Sequence, residues 1–400
     1  MLIFVVLLYR SCMRKEVRIM SLTAIKYRAY PTSEQAEFFQ QSFGCVRKIW
    51  NLLLHDSIEQ YKCNKMYVLN QVSQYKSIYL YLKDVDSLAL TNARTYLQNA
   101  YKEFFKKTRC FPKFKSKHKS KKSYTTNNQH GTIALLNNGV KLPKVFKQFG
   151  AVKIKQHRKP NSDWHIKQAT VSMETDGKYY ISILFEYENI PVKVIDKSCV
   201  LTIGLDYKSN GLFVDSNGDV GTNHRFFRES YKKLAKEQRK LSRKKGSVKG
   251  EIKSCNYIKQ LQKVNKIHRH IVNQRLDNLH KISTMLTKKY DIVCVEDLNM
   301  KSLSNKSFGN GKSTMDNGYG MFLNMLSYKL KRKGGYFVKI DKWYPSSQIC
   351  CVCGKKHPEM KICKHGRKQE YLICSCGNRM QRDVNAAKNI LQEGLRILNI

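Results

Sequence analysis

The first clear signal along the chain is an alternation of apolar and polar residues from Ala24 to Tyr30, which predicts a short strand ended by Pro31. Thr32 or Ser33 then offers a cap to a helix carrying Phe38, Phe39, Val46, Ile49, Trp50 and Leu53 at helical spacing. Helix continues to about Lys107, where Tyr96, Leu97, Ala100, Tyr101, Phe104 and Phe105 form an apolar stripe that reads as core packing. Phe111 to Lys122 (FPKFKSKHKSKK) is a loop with a lysine at almost every second position. From Ile133 to Tyr187 the texture changes to short alternating strands, among them Val152–Lys155, Gln168–Met173 and Tyr179–Tyr187, parted by turns such as Asp176-Gly177. The early strand belongs with this β-rich part, and the helices are an insertion within it.

From Cys199 the pattern becomes α/β. Val200–Leu205 is an apolar strand, Gly211–Asp215 a second, and Ser216-Asn217-Gly218-Asp219 supplies hairpin chemistry. Phe226 to Tyr290 forms two long basic helices broken near Gly246–Gly250. Asp291–Val295 is a strand apolar on both faces, and Ser302–Gly320 is rich in Gly, Ser and Asn and reads as a mobile loop. Its Gly309-Asn310-Gly311-Lys312-Ser313 lacks the spacing of a phosphate-binding P-loop. Met321–Lys333 is a helix, Tyr336–Ile340 a strand, and a last helix starts near Asp383.

Charge narrows the class. The 400-residue chain, long enough for roughly two or three domains, carries 74 Lys+Arg against 30 Asp+Glu, a net charge of +44. Self-repulsion of that size destabilises a compact chain unless a polyanion screens it. The cations run along the whole sequence, so the expected partner is a long nucleic acid. The FPKFKSKHKSKK loop and the basic segment Tyr231–Lys245 are expected to track its phosphates, with Phe226, Phe227 and Leu234 packing inward. Leu2 to Tyr9 is too short to span a bilayer and lacks the flanks of a signal peptide. Residues 1–19 are read as a dispensable extension, and the protein as cytoplasmic, nucleoid-associated and away from membranes.

Acids are scarce, and three stand where α/β folds build sites. Asp206 ends the strand LTIGLD, Glu296 ends DIVCVED, and Asp383 opens the last helix. A carboxylate cluster in so basic a chain suits divalent cations. Mg²⁺ needs few protein oxygens, and two such ions can drive phosphodiester hydrolysis. Strand alternation leaves Glu296 and Asp297 equally eligible. Six of the 13 cysteines, Cys350, Cys351, Cys353, Cys363, Cys374 and Cys376, crowd one stretch. Cys350-x2-Cys353-Gly and Cys374-x-Cys376-Gly resemble two zinc knuckles, a closed structural site. The second pair is one residue short, so its turn must differ, and Cys363, His365 or His357 could replace a ligand.

IGLD at 203–206, VEDLN at 295–299, SSQICCVCG at 346–354 and CGNRMQRDVNAAKNI at 376–390 occur in one order. KYRAYPTSEQ at 26–35, FGCVRKIWN at 43–51 and FPKFKSK at 111–117 precede them. With these motifs the chain resembles the TnpB family, RuvC-like proteins of bacterial insertion sequences, from about Ala24 to its end. The resemblance implies an α/β, RNase H-like (RuvC) nuclease domain over 199–345 and 381–400 with a zinc ribbon inserted at 346–380. It also implies a β-barrel wedge domain over 20–32 and 108–198 that carries a helical recognition insertion at 33–107. Asp206, Glu296 and Asp383 would hold two catalytic Mg²⁺ ions, Arg382 would act near the scissile phosphate, and Cys350, Cys353, Cys374 and Cys376 would hold structural zinc. The implied function is RNA-guided cleavage of double-stranded DNA in transposon maintenance, by a monomer loaded with a guide RNA from the transposon end. A nuclease-silent RNA-guided repressor and a transposase that joins DNA ends are the competing readings. Tyr207-Lys208 departs from the small apolar pair usual after the first acid.

Overall fold

Strand β1 (Ile19–Tyr30) buries Thr23, Ile25, Tyr27 and Ala29 on one face, the period-two pattern its sequence announces. In the computed structural model, which describes residues 19–189, 200–222, 224–248, 250–304, 311–360 and 370–400, this strand starts earlier than expected. The expected extension is otherwise outside the described residues, and Ile19 is already paired with Asn189. The chain divides into two units, residues 1–190 and 191–400.

In the first unit, helix α1 (Ser33–Asn64) follows β1 through a capping box. Thr32 Oγ1 accepts from the Gln35 amide at 3.3 Å, and Gln35 Oε1 accepts from the Thr32 amide at 3.2 Å, which decides the cap for Thr32. Helices α2 (Val72–Ile78) and α3 (Ser87–Phe105) complete the helical segment. The strands are β2 (Lys122–Asn127), β3 (Ala134–Leu136), β4 (Gly139–Lys141), β5 (Val152–Lys155), β6 (His165–Met173) and β7 (Tyr179–Asn189), with short helix α4 (Val145–Phe149) between β4 and β5. They form one antiparallel sheet in the order β2-β6-β7-β1-β5-β4-β3. One core joins sheet and helices, with Tyr27, Phe39, Leu53, Leu97 and Ile183 at its centre.

Two expectations change here. The barrel is an open half barrel, because β2 and β3 end the sheet without pairing with each other among the described residues. Beyond the expected loop, the polar stretch 122–127 is a strand, with the Thr125 and Thr170 hydroxyls bonded across it at 2.9 Å so that its polar side chains can be buried. The helical stripe is narrower than read: Leu97 and Tyr101 are buried, but Tyr96 and Phe105 are 44% and 58% exposed. Tyr96 lies one residue, about 100°, off the inward face, whereas Phe105 is the last residue of the helix.

The second unit holds β8 (Thr202–Tyr207), β9 (Phe213–Asp215), α5 (Phe226–Ser242), α6 (Cys255–Lys289) and β10 (Ile292–Glu296). Next come α7 (Met300–Leu303), α8 (Gly311–Asn317), α9 (Tyr319–Lys333), β11 (Tyr336–Ile340), the hairpin β12 (Tyr371–Ile373) with β13 (Arg379–Gln381), and α10 (Arg382–Ile397). The sheet order is β11-β10-β8-β9, with β8, β10 and β11 parallel and β9 antiparallel to β8. Ile203, Leu205, Val293 and Val295 pack on one face with α6 and α9. Ile292, Cys294, Val338 and Ile340 pack on the other with Ile390 of α10. Both faces are covered, which explains a strand apolar on both sides.

Two glycines set how closely α10 lies on the sheet. A Cβ at Gly204 of β8 would collide with the Ala387 carbonyl oxygen, and one at Gly394 of α10 would collide with the Cys294 sulfur of β10. The loop expected over Ser302–Gly320 is largely helical where described, while 305–310 lie outside the described residues. Helix α8 buries Ser313, Thr314, Asp316 and Asn317. Asp316 accepts from Arg275 at 2.8 Å and from the Phe227 amide at 3.3 Å, so its burial is compensated by partners that hydropathy does not register.

Candidate active site and metal centre

Parallel pairing of β8 and β10 matches Leu205 with Val295, so Asp206 and Glu296 emerge side by side at the same edge of the sheet. Helix α10 starts at that edge, and Asp383 is in its first turn. The three acids line one cleft of about 640 Å³ together with Lys208, Ser346 and Arg382. Asp297, the alternative to Glu296, is exposed instead and pairs with Lys339 at 2.8 Å.

The cleft is electrostatically strained. Burial first, then the charges of Glu296 and Asp383, push the Asp206 carboxyl well above the carboxylate range, while Arg382 opposes them. Burial also raises Glu296, against a hydrogen bond from the Ser346 hydroxyl. Stacked carboxylates of this kind are relieved by a cation. Lys208 supplies one, its ammonium lying 3.6 Å from Asp383 Oδ2. Tyr207, the other half of the unusual pair, donates its hydroxyl to Thr314 at 3.3 Å and packs its ring 4.8 Å from that of Tyr319. Arg382 is buried and donates to Ser347 Oγ at 3.2 Å, with its Nε unpaired among the described residues.

The cysteines meet more tightly. Among the described residues they are the group of potential ligands whose atoms all lie within 4.8 Å of one another, namely Cys350, Cys353, Cys374 and Cys376. The Cys350 and Cys376 sulfurs are 3.7 Å apart and those of Cys353 and Cys374 3.5 Å. Tetrahedral zinc thiolate needs about 3.8 Å, so the donor set fits that ion. The two knuckles do differ: Gly354 closes the first onto the Cys350 carbonyl and Gly377 the second onto the Cys374 carbonyl, one residue sooner. Both glycines have positive φ, at 74° and 88°. The Cys376 backbone amide draws the Cys374 thiol down to about 5, which favours a thiolate. His357 is buried, with Nδ1 2.8 Å from Glu359, and Cys363 and His365 lie outside the described residues.

Sequence reasoning missed the clamp that ties the two centres together. Asn385 accepts from the Cys351 amide at 2.9 Å and donates to the Ile349 carbonyl at 2.6 Å. Asn389 donates to the Ser346 carbonyl at 2.7 Å. The loop carrying Ser346 and the first knuckle is thus fixed to α10, the helix that carries Asp383. Two buried asparagines four residues apart in NAAKN were the available signal.

Comparison with known proteins now adds to this geometry. A family profile described as "Probable transposase" matches residues 182–307, a "Cas12f1-like, TNB domain" matches 319–390, and a "Helix-turn-helix domain" matches 20–66. A Streptomyces pristinaespiralis protein named "Putative RNA-guided DNA endonuclease" is 32% identical over 93% of this chain and 89% of its own. The chain belongs to the TnpB family. An Escherichia coli protein of similar name is 29% identical over 94% and 93% of the two chains. A TnpB-like protein of Acanthamoeba polyphaga mimivirus is 25% identical over 94% and 74%. In fold, the TnpB-family chain resembles Cas12f1 solved with sgRNA and target DNA, with TM-score 0.53 and 14% identity over 93% and 98% of the chains. The segment matching the helix-turn-helix description is here a strand and one long helix, β1 and α1.

Proposed function

We propose that the chain is an RNA-guided, Mg²⁺-dependent endonuclease that cuts double-stranded DNA in the cleft of Asp206, Glu296 and Asp383. The observation that carries this reading is the gathering of three acids, 90 and 87 positions apart in sequence, beside a buried arginine in a chain of charge +44. An RNase H-like (RuvC) fold is supported by the sheet order β9-β8-β10-β11, with one antiparallel pair followed by parallel strands and acids at one edge. The names of the TnpB relatives support guidance by RNA.

Asp206, Glu296 and Asp383 would hold the divalent ions, which supply an activated water and stabilise the leaving oxygen. Ser346 orients Glu296, and Arg382 has unmet donor capacity for a phosphate oxygen. Base pairing would carry sequence specificity, while the basic surface reads the heteroduplex by charge and shape. Zinc at the four cysteines would be structural, since four protein ligands leave no open position. The guide would come from the transposon end, and the protein would act as a monomer on nucleoid DNA. Among the described residues no helix is long and apolar enough to cross a membrane.

The test incubates purified protein and its co-purifying RNA with a matched plasmid and Mg²⁺. Cutting that disappears in Asp206→Ala or Glu296→Ala, with DNA binding retained, supports the proposal. Binding without nicking by the parent protein would overturn it, as would a co-purified RNA pool free of transposon-end sequence.

A further inference from the structure

Two hydroxyls of the cleft have no part in the scheme of acids and arginine. Tyr207 follows Asp206 directly on β8, and Thr314 lines the same cleft from α8. The Tyr207 hydroxyl donates to Thr314 Oγ1 at 3.3 Å. A threonine hydroxyl has one proton to give and two lone pairs to accept with. Tyr207 occupies a lone pair, so the Thr314 proton is left over. Among the described residues the Thr314 hydroxyl has no other partner, and none of the three acids takes its proton.

Both groups are fixed in place. Thr314 is only 6% exposed. Its helix is anchored on two sides. Asn317 donates to the carbonyls of Lys208 at 3.3 Å and Ser209 at 3.1 Å, which ties α8 to the residues that follow Asp206. On the other side Ser313 accepts from Arg228 at 2.7 Å, and Asp316 is held by Arg275 and the Phe227 amide. The Tyr207 ring rests on the buried ring of Tyr319. A solvated threonine needs neither such anchoring nor a phenol that turns its proton outward.

A free donor among acids selects its ligand. A water about to attack is weakened by a hydrogen bond donated to its oxygen, whereas an anionic phosphate oxygen is stabilised by one. We propose that the Thr314 hydroxyl donates to a phosphate oxygen of the DNA strand being cut, and that Tyr207 is the positioning residue that aims this donor. The substrate class rests on the nuclease reading above; the aimed donor does not. Charge on such an oxygen shifts as the phosphodiester is attacked, so the bond is strongest in the transition state and is read in rate more than in binding.

Single-turnover cleavage of a matched duplex by the RNA-loaded full chain in Mg²⁺ tests this, with DNA affinity and the thermal melt followed beside it. Thr314→Val keeps the shape without the hydroxyl. It should cut on the order of 10- to 100-fold more slowly, the loss for one neutral donor to a charged oxygen, at nearly parental affinity and melt. Thr314→Ser keeps the donor and should recover most of the rate. Tyr207→Phe keeps the ring on Tyr319 and should cut several-fold more slowly. Adding it to Thr314→Val should slow cutting no further, because the two hydroxyls act as one unit. A parental rate in Thr314→Val, or a serine variant as slow as the valine one, overturns the donor. Additive losses in the double variant overturn the role of Tyr207. A fall in affinity equal to the fall in rate overturns the catalytic place of Thr314. Binding without cutting by the parent removes the nuclease reading and this inference together, whereas a cutting parent with unaffected variants removes this inference alone.

Discussion

Consider the change Gly204→Ala. Gly204 lies in β8 two residues before Asp206, under the helix that carries Asp383. An added methyl would overlap the Ala387 carbonyl and sit 2.9 Å from both the Cβ and the amide nitrogen of Leu391. Ordinary carbon contacts need about 3.5 Å, so α10 must withdraw by about half an ångström to clear Leu391 and by about 1 Å to clear the nearer Ala387 carbonyl. Overpacking of this kind costs about 1–3 kcal/mol. For a unit of this size that corresponds to a fall in melting temperature of about 3–10 °C. The larger effect falls on chemistry, because Asp383 moves with the helix while Asp206 and Glu296 stay on their strands. A misplacement near 1 Å costs on the order of 100-fold in rate. The assay pairs a thermal melt with plasmid cleavage, and DNA binding is followed separately. The expected result is a modest loss of stability, a large loss of cutting and unchanged binding. Full cutting at parental stability would refute the account of how α10 is seated.

Three further outcomes are expected. Asp206 has a folded pKa raised by burial and by Glu296 and Asp383, so its stabilising contribution is present below the unfolded carboxylate value and is lost as pH rises through the folded one. Without added Mg²⁺, Asp206→Asn should therefore melt higher than the parent at neutral pH, and the gap should close in acid; identical pH profiles by scanning calorimetry would contradict this. Lys208→Met removes the ammonium that sits on Asp383 and should lower the Mg²⁺ concentration for half-maximal cleavage several-fold, whereas a rise would assign Lys208 to the reaction itself. Cys353→Ser should lose the zinc that elemental analysis is expected to find at one ion per parent chain, and it should open the ribbon's small core of Cys350, Met360, Leu372 and Cys374 to limited proteolysis; full zinc content in the variant would disprove four-cysteine ligation.

Much was determined by sequence alone. Local rules suffice for a strand ended by proline, a helix cap at Thr32 or Ser33, and a strand apolar on both faces, since each involves only near neighbours. Charge and motif order likewise pointed to nucleic acid, to the TnpB family, and to Asp206, Glu296, Asp383 and the four cysteines as residues of interest. What only tertiary structure decided depends on partners distant in the chain. Helix α8 read as loop because Asp316 finds Arg275 41 residues away. The threonine-rich strand β2 has no apolar alternation to announce it, because its polar burial is compensated across the sheet by Thr170. Lys208 on Asp383, Ser346 on Glu296 and the Asn385 clamp were equally invisible. A buried polar group is stable only through its partner, and hydropathy along one chain carries no record of which partner folding will supply.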